Sequence, residues 1–140
     1  PRFGLIVLSE ISARALSPAV NDPGTAIVIL GRFVRLFAAW AAPLTEDEVS
    51  EPRFDRVIVP PLALGEMFDD AFTATARDGA ATVEVGIRLQ KALLSLAALD
   101  YPDMQAEARR HSQLALARAK SALTLEVDYA RIERIAKMLD

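Results

Sequence analysis

Apolar positions recur along the 140-residue chain at the spacing of amphipathic helices, interrupted by clusters of proline, glycine and charge. Over residues 3–16, Leu5, Leu8, Ile11 and Ala15 keep that spacing, and Glu10 stands four residues before Arg14, the favourable order for an ion pair. Residues 23–42 repeat the pattern, with Ile27, Leu30, Val34, Phe37 and Ala38 on one face and Arg32 and Arg35 on another. The far side of this helix still carries Val28, Ile29, Leu36 and Trp40, which predicts cover on more than one side. Residues 62–77 form the cleanest amphipathic helix: Leu64, Met67, Phe68, Ala71, Phe72 and Thr75 oppose Glu66, Asp69, Asp70 and Thr73.

Three further segments follow. Residues 81–99 confine Glu84, Arg88, Lys91 and Ser95 to one stripe and are apolar elsewhere, the pattern of a central helix. In residues 103–123, Met104, Ala108, His111, Ala115 and Ala119 share a narrow face of mostly small side chains that admits a close neighbour. A last helix over residues 128–139 turns Ile132, Ile135, Ala136 and Leu139 inward.

The breaks are as informative as the runs. "RALSPAVNDPGTA", residues 14–26, supplies stop and start signals in order: Ser17 before Pro18 closes a turn, and Asp22 before Pro23 is a helix cap followed by proline at the first helical position. The second helix therefore starts at Pro23. Residues 43–52 are polar and acidic, a surface connection. Residues 53–59, "RFDRVIV", are rich in β-branched side chains and predict one short strand, which Pro60 and Pro61 end. An unpaired strand needs a partner, within the chain or on a second copy. The expected fold is mainly α, a compact bundle of about five or six helices with one short β-strand, forming a single domain over residues 1–140.

Composition narrows the function. The chain is 52% hydrophobic but only 6% aromatic, which favours closely packed helices. A net charge of -3 provides no electrostatic footprint for a phosphate backbone, so no nucleic-acid partner is expected. Cysteine is absent, excluding disulfides and thiolate chemistry, and the single histidine, His111, excludes any site that needs two. The most apolar stretch, residues 26–44, carries Gly31, Arg32 and Arg35 in its middle and reads as a buried core helix, where a membrane span wants ~20 apolar residues with few charges. The opening Pro1-Arg2 reads as a fragment of something longer.

Candidate chemistry is sparse. Glu107 precedes His111 by four residues, which is not the spacing of helical di-iron sites, and His111 reads as a packed, hydrogen-bonded side chain. Glu66, Asp69 and Asp70 could offer oxygen ligands to a divalent cation, but on an amphipathic helix they are its wet face. Gly24 and Gly31 are isolated and make no phosphate loop. No cofactor and no metal are implied. The polar cluster Arg14, Ser17, Asn21, Asp22 and Thr25 has two readings: a helix junction in which Asp22 satisfies free amides, or a small polar pocket serving a ligand receptor or enzyme.

The stretch "FGLIVLSEISARALSPAVNDPGTAI", residues 3–27, resembles the signature of a family of predicted bacterial membrane proteins, domain of unknown function 2254. Phe3, Gly4, Arg14, Ala15, Leu16, Ser17, Pro18, Asn21, Asp22, Pro23, Thr25 and Ala26 match it. "RVIVPPLALGEMFDDAF" and "VEVGIRLQKALLSLA" are similar too, so the resemblance extends over nearly the whole chain. It implies a longer protein of the bacterial inner membrane. This chain would be its soluble C-terminal portion, cytoplasmic, following an upstream transmembrane region. The family has no established activity. The resemblance is therefore consistent with a non-catalytic domain for self-association as a homo-oligomer, for partner binding, or for regulation of the membrane part.

Overall fold

Six helices account for the regular structure of the computed structural model, which describes residues 2–43, 56, 58 and 60–139. They are α1 (Arg2–Ala15), α2 (Pro23–Ala41), α3 (Leu64–Asp78), α4 (Val83–Ala97), α5 (Pro102–Ala122) and α6 (Glu126–Ala136). The expected strand is not found: Arg56 and Ile58, the described residues of that stretch, belong to no strand, and the rest of 53–59 lies outside the described residues. Ile58 is 93% exposed, so its β-branched side chain has no sheet to pack on, and strand propensity without a partner surface does not make a strand. The acidic connection over residues 44–52 also lies outside the described residues.

The helix boundaries follow local chemistry. Asp22 caps α2 and Pro23 occupies its first turn, where the missing N–H costs nothing. Gly79 stands at the end of α3, its N–H donating to the Thr75 carbonyl at 2.9 Å. A side chain on Gly79 would meet Val85 Cγ1 at 2.5 Å and the Thr75 carbonyl oxygen at 2.8 Å, so the tight α3–α4 corner has no room for a Cβ. Pro102 opens α5 as Pro23 opens α2.

Packing is organised around α4, which touches α2, α5 and α6, while α1 packs on α2 and α3, and α3 packs on α5. The centre is a cluster of four phenylalanines, Phe33 and Phe37 from α2 with Phe68 and Phe72 from α3. Their ring centroids lie 4.5 to 5.7 Å apart. Each buried ring stabilises the fold by roughly 1.5–3 kcal/mol from area alone, so this cluster dominates the union of α2 and α3. Leu30, Leu93, Leu96 and Met104, all fully buried, extend it. The face of α5 read from the sequence is the buried one, from Met104 through Ala119. Beneath it Gln90 and Ser112 exchange two hydrogen bonds, Ser112 Oγ donating to Gln90 Oε1 at 2.6 Å and Gln90 Nε2 donating to the Ser112 carbonyl at 3.0 Å.

Two helices differ from the sequence pattern in what they expose. In α1 the buried row is Leu5, Ser9, Ser12 and Ala15, whereas Ile11 is 46% exposed, together with Phe3, Ile6 and Val7. The small side chains let α1 approach α3, and the buried Ser12 hydroxyl lies 2.7 Å from that of Thr75, so neither is left unpaired. In α2 the buried residues are Ala26, Ile29, Leu30, Phe33 and Phe37. Of the expected inner face only Leu30 and Phe37 are fully buried, while Ile27, Val34 and Ala38 are half-buried. Ile29, placed on the far side, is in the core, and Val28, Leu36 and Trp40 are exposed. The core-helix reading is therefore half right, with one face in the core and the opposite face open.

Candidate functional site

The junction between α1 and α2 is a closed hydrogen-bonded corner. Ser17 Oγ donates to the Arg14 carbonyl at 2.7 Å, and the N–H groups of Val20 and Asn21 donate to the Ser17 carbonyl at 3.1 and 2.8 Å. Asn21 sits at φ 49°, the left-handed region that asparagine tolerates better than most side chains, and this reverses the chain. The Asp22 N–H then returns to the Ala15 carbonyl at 2.8 Å, tying the start of α2 to the end of α1. Asp22 accepts from the Thr25 amide at 3.1 Å and from the Thr25 hydroxyl at 2.6 Å. Those two bonds hold its carboxyl below the usual carboxylate range, the hydroxyl contributing most.

Ser17, Asn21, Asp22 and Thr25 thus meet at one corner, but the Arg14 side chain does not join them. It lines the outer surface of α1 with Glu10 and Ile11. The expected Glu10–Arg14 ion pair does not form among the described residues; the charge of Glu10 acts instead on Arg77, whose principal partner is Asp78 at 2.6 Å.

The acidic face of α3 is tied down by arginine. Arg2 of α1 binds Asp70 at 2.7 Å and also reaches Glu66. Arg110 of α5 binds Asp69 at 2.8 Å and Glu107 at 2.7 Å. His111 lies beside this second cluster, 2% exposed, its ring 5.6 Å from Phe68 and 5.9 Å from Phe72. Its Nε2 is 3.2 Å from Asp69 Oδ1 and 3.0 Å from the Arg110 guanidinium. Either tautomer of the neutral ring finds a partner there, donating to the carboxylate or accepting from the guanidinium. Burial, reinforced by the Arg110 charge, pushes its pKa down to about 4. The imidazole is therefore neutral near pH 7, screened from solvent, and poorly matched to general-base work.

The largest departure from the sequence reading is on the surface. Phe3, Ile6, Val7 and Ile11 line one open face of α1. Beside it an apolar groove of about 190 Å³ runs between α1 and α2, lined by Leu5, Leu8, Leu36, Phe37, Trp40 and Met67 along with Gly4. The sequence carried a signal for this face: Ser9 and Ser12 fall on the same helical row as Leu5 and Ala15, so burying that row turns Ile6, Val7 and Ile11 outward. α2 is also long and apolar enough, at 19 residues and a mean hydropathy of 1.5, to cross a membrane by length and composition, and only 28% of that stretch is buried.

No curated protein and no solved structure matches the chain. A family model does match, over residues 1–95, which takes in the α1–α2 junction, α3 and most of α4 but not α5 or α6, a shorter span than the resemblance suggested. The chain belongs to the family of predicted membrane proteins designated domain of unknown function 2254.

Proposed function

We propose that the chain is a non-catalytic helical domain that seats against the membrane-embedded part of its own polypeptide through the outward face of α1. The observation that carries this reading is the orientation of α1. It buries Ser9 and Ser12 and leaves Phe3, Ile6, Val7 and Ile11 uncovered on successive turns. Helices that bury small polar side chains and turn large apolar ones outward suit a neighbour or lipid beyond them. A contiguous apolar face of this kind marks an interaction surface more often than chance exposure does. Membership of a membrane-protein family supplies a partner of matching chemistry.

The reading of the junction as a ligand pocket draws less support, because the oxygens of Asp22 are already engaged by Thr25 and the Arg14 side chain faces elsewhere. Self-association through α1 is the competing use of the same face. Photo-crosslinking from position 7 in the longer protein, in its native membrane, separates them. A crosslink within one polypeptide, seen as a faster-migrating band of unchanged mass, is the expected result. A band of doubled mass, or none, overturns it.

A further inference from the structure

A second surface, separate from the α1 face, has a different chemistry. α2 contains no acidic residue, and its two cations, Arg32 and Arg35, are both exposed. Val28 and Arg32 stand four residues apart on the open side of α2, with Val28 59% exposed, so a guanidinium stands one turn from an uncovered apolar side chain. Across from α2, the outer stripe of α4 presents Arg88, Lys91 and Ser95 to solvent, with Glu84 one turn earlier as its acidic member.

Between the two helices lies a groove of about 180 Å³ lined by Gly31, Val34, Arg88, Lys91, Ala92 and Ser95. Gly31 leaves it open: no atom lies within 4 Å of where its Cβ would stand. Arg35 is four residues from Gly31 and so rises from the same side of α2 at the rim. Arg2, Arg77 and Arg110 all bind carboxylates, whereas Arg32, Arg35, Arg88 and Lys91 have no carboxylate partner among the described residues. The whole chain carries -3, so four cations without a carboxylate partner among the described residues make a local reversal of its charge.

We propose that this α2–α4 face docks on the anionic headgroups of a phospholipid bilayer. A headgroup phosphate sits in the groove between Arg88 and Lys91, Arg32 and Arg35 lie along the surface, and Val28 enters the acyl boundary. Cations alternating with exposed aliphatic side chains on one helix are the signature of an interfacial surface. A bare phosphate backbone would leave the exposed Val28 side chain without a partner. The α1 contact and this one occupy different faces, so one can fail without the other.

Co-sedimentation of the chain with vesicles tests the proposal, using phosphatidylcholine alone and an equal mixture of phosphatidylcholine and phosphatidylglycerol. The native chain should prefer the anionic vesicles, and raising the salt should remove that preference. Arg35→Gln, Arg88→Gln and Lys91→Gln together should lower binding to anionic vesicles about a hundredfold, at about fivefold per cation. All three side chains are exposed, so helicity and thermal midpoint should stay unchanged and serve as controls. Partition on neutral vesicles, carried by the α1 face, should not move. Equal binding of the native chain to both vesicles overturns the proposal, as does an anionic preference that survives in the triple variant. Saturable binding of inorganic phosphate without vesicles, with the same dependence on these cations, also overturns it by removing the bilayer as the source.

Discussion

The Ser12 hydroxyl of α1 and the Thr75 hydroxyl of α3 lie 2.7 Å apart, and solvent reaches neither residue. This single polar contact lies on the face that decides how α1 is turned. Rotating α1 to bury Ile11 would expose Ser12 and strand the Thr75 hydroxyl, so the pair favours the observed register against the pull of hydrophobicity.

Removing one partner should cost more than removing both. Ser12→Ala leaves Thr75 short of its partner and should lower stability by roughly 1–3 kcal/mol, whereas Ser12→Ala combined with Thr75→Val should recover much of that loss. A double-mutant cycle by chemical denaturation measures the coupling. Strictly additive losses would show that the hydroxyls do not act as a pair.

The junction makes two separable claims. At Asn21 the left-handed φ of 49° is the constraint, so Asn21→Gly should hold or raise the thermal midpoint and Asn21→Val should cost about 1–2 kcal/mol. At Asp22 the cap is the constraint, so Asp22→Ala should lower the midpoint while Asp22→Asn retains most of it. The folded Asp22 carboxyl has a lowered pKa, so its contribution is present above the unfolded value and fades as the pH falls through the folded one. A thermal-melt series over the four variants and a range of acid pH reads both effects.

The sequence was readable where structure is set by local chemistry. Asp22-Pro23 marked the start of α2 because cap and proline act within one turn. The alanine spacing of α5 marked its inner face because only a narrow surface admits close approach. It was unreadable where the answer depends on a distant surface. Hydrophobicity alone favours the row Leu5, Leu8, Ile11, Ala15 in α1; the structure buries Leu5, Ser9, Ser12, Ala15 because α3 offers Thr75 and a close fit. The pairing of Arg2 with Asp70 spans 68 residues and that of Arg110 with Asp69 spans 41, and no local pattern announces either. The strand reading finds no support among the described residues, since β-branched composition says nothing about whether a neighbouring edge exists.

His111 should make stability depend on pH in mildly acid solution. An unfolded chain binds a proton at histidine near pH 6.5, while the folded site holds its pKa at about 4. The unfolded state therefore takes the proton first as pH falls. Stability from this group is complete above about pH 6.5 and is lost as the pH drops toward 4, by up to about 3 kcal/mol. His111→Gln should flatten the slope in that window whatever its absolute stability. An unchanged slope in the variant would assign the dependence to other groups.

Side chains that serve an external surface should contribute little to the fold of the chain itself, and α1 permits that contrast within one helix. Leu5 is 4% exposed and packs in the core, so Leu5→Ala should cost roughly 2–5 kcal/mol. Val7, two residues on, and Ile11 are 41% and 46% exposed, so Val7→Ser and Ile11→Ser should each stay within about 0.5 kcal/mol of the native chain. The same two substitutions remove apolar area from the face proposed to meet the membrane part, and should raise the solubility of the isolated chain. Denaturation midpoints and a solubility titration on the three variants suffice. If Val7→Ser or Ile11→Ser destabilised the chain as strongly as Leu5→Ala, the outer face of α1 would belong to the core and would be unavailable for an outside partner.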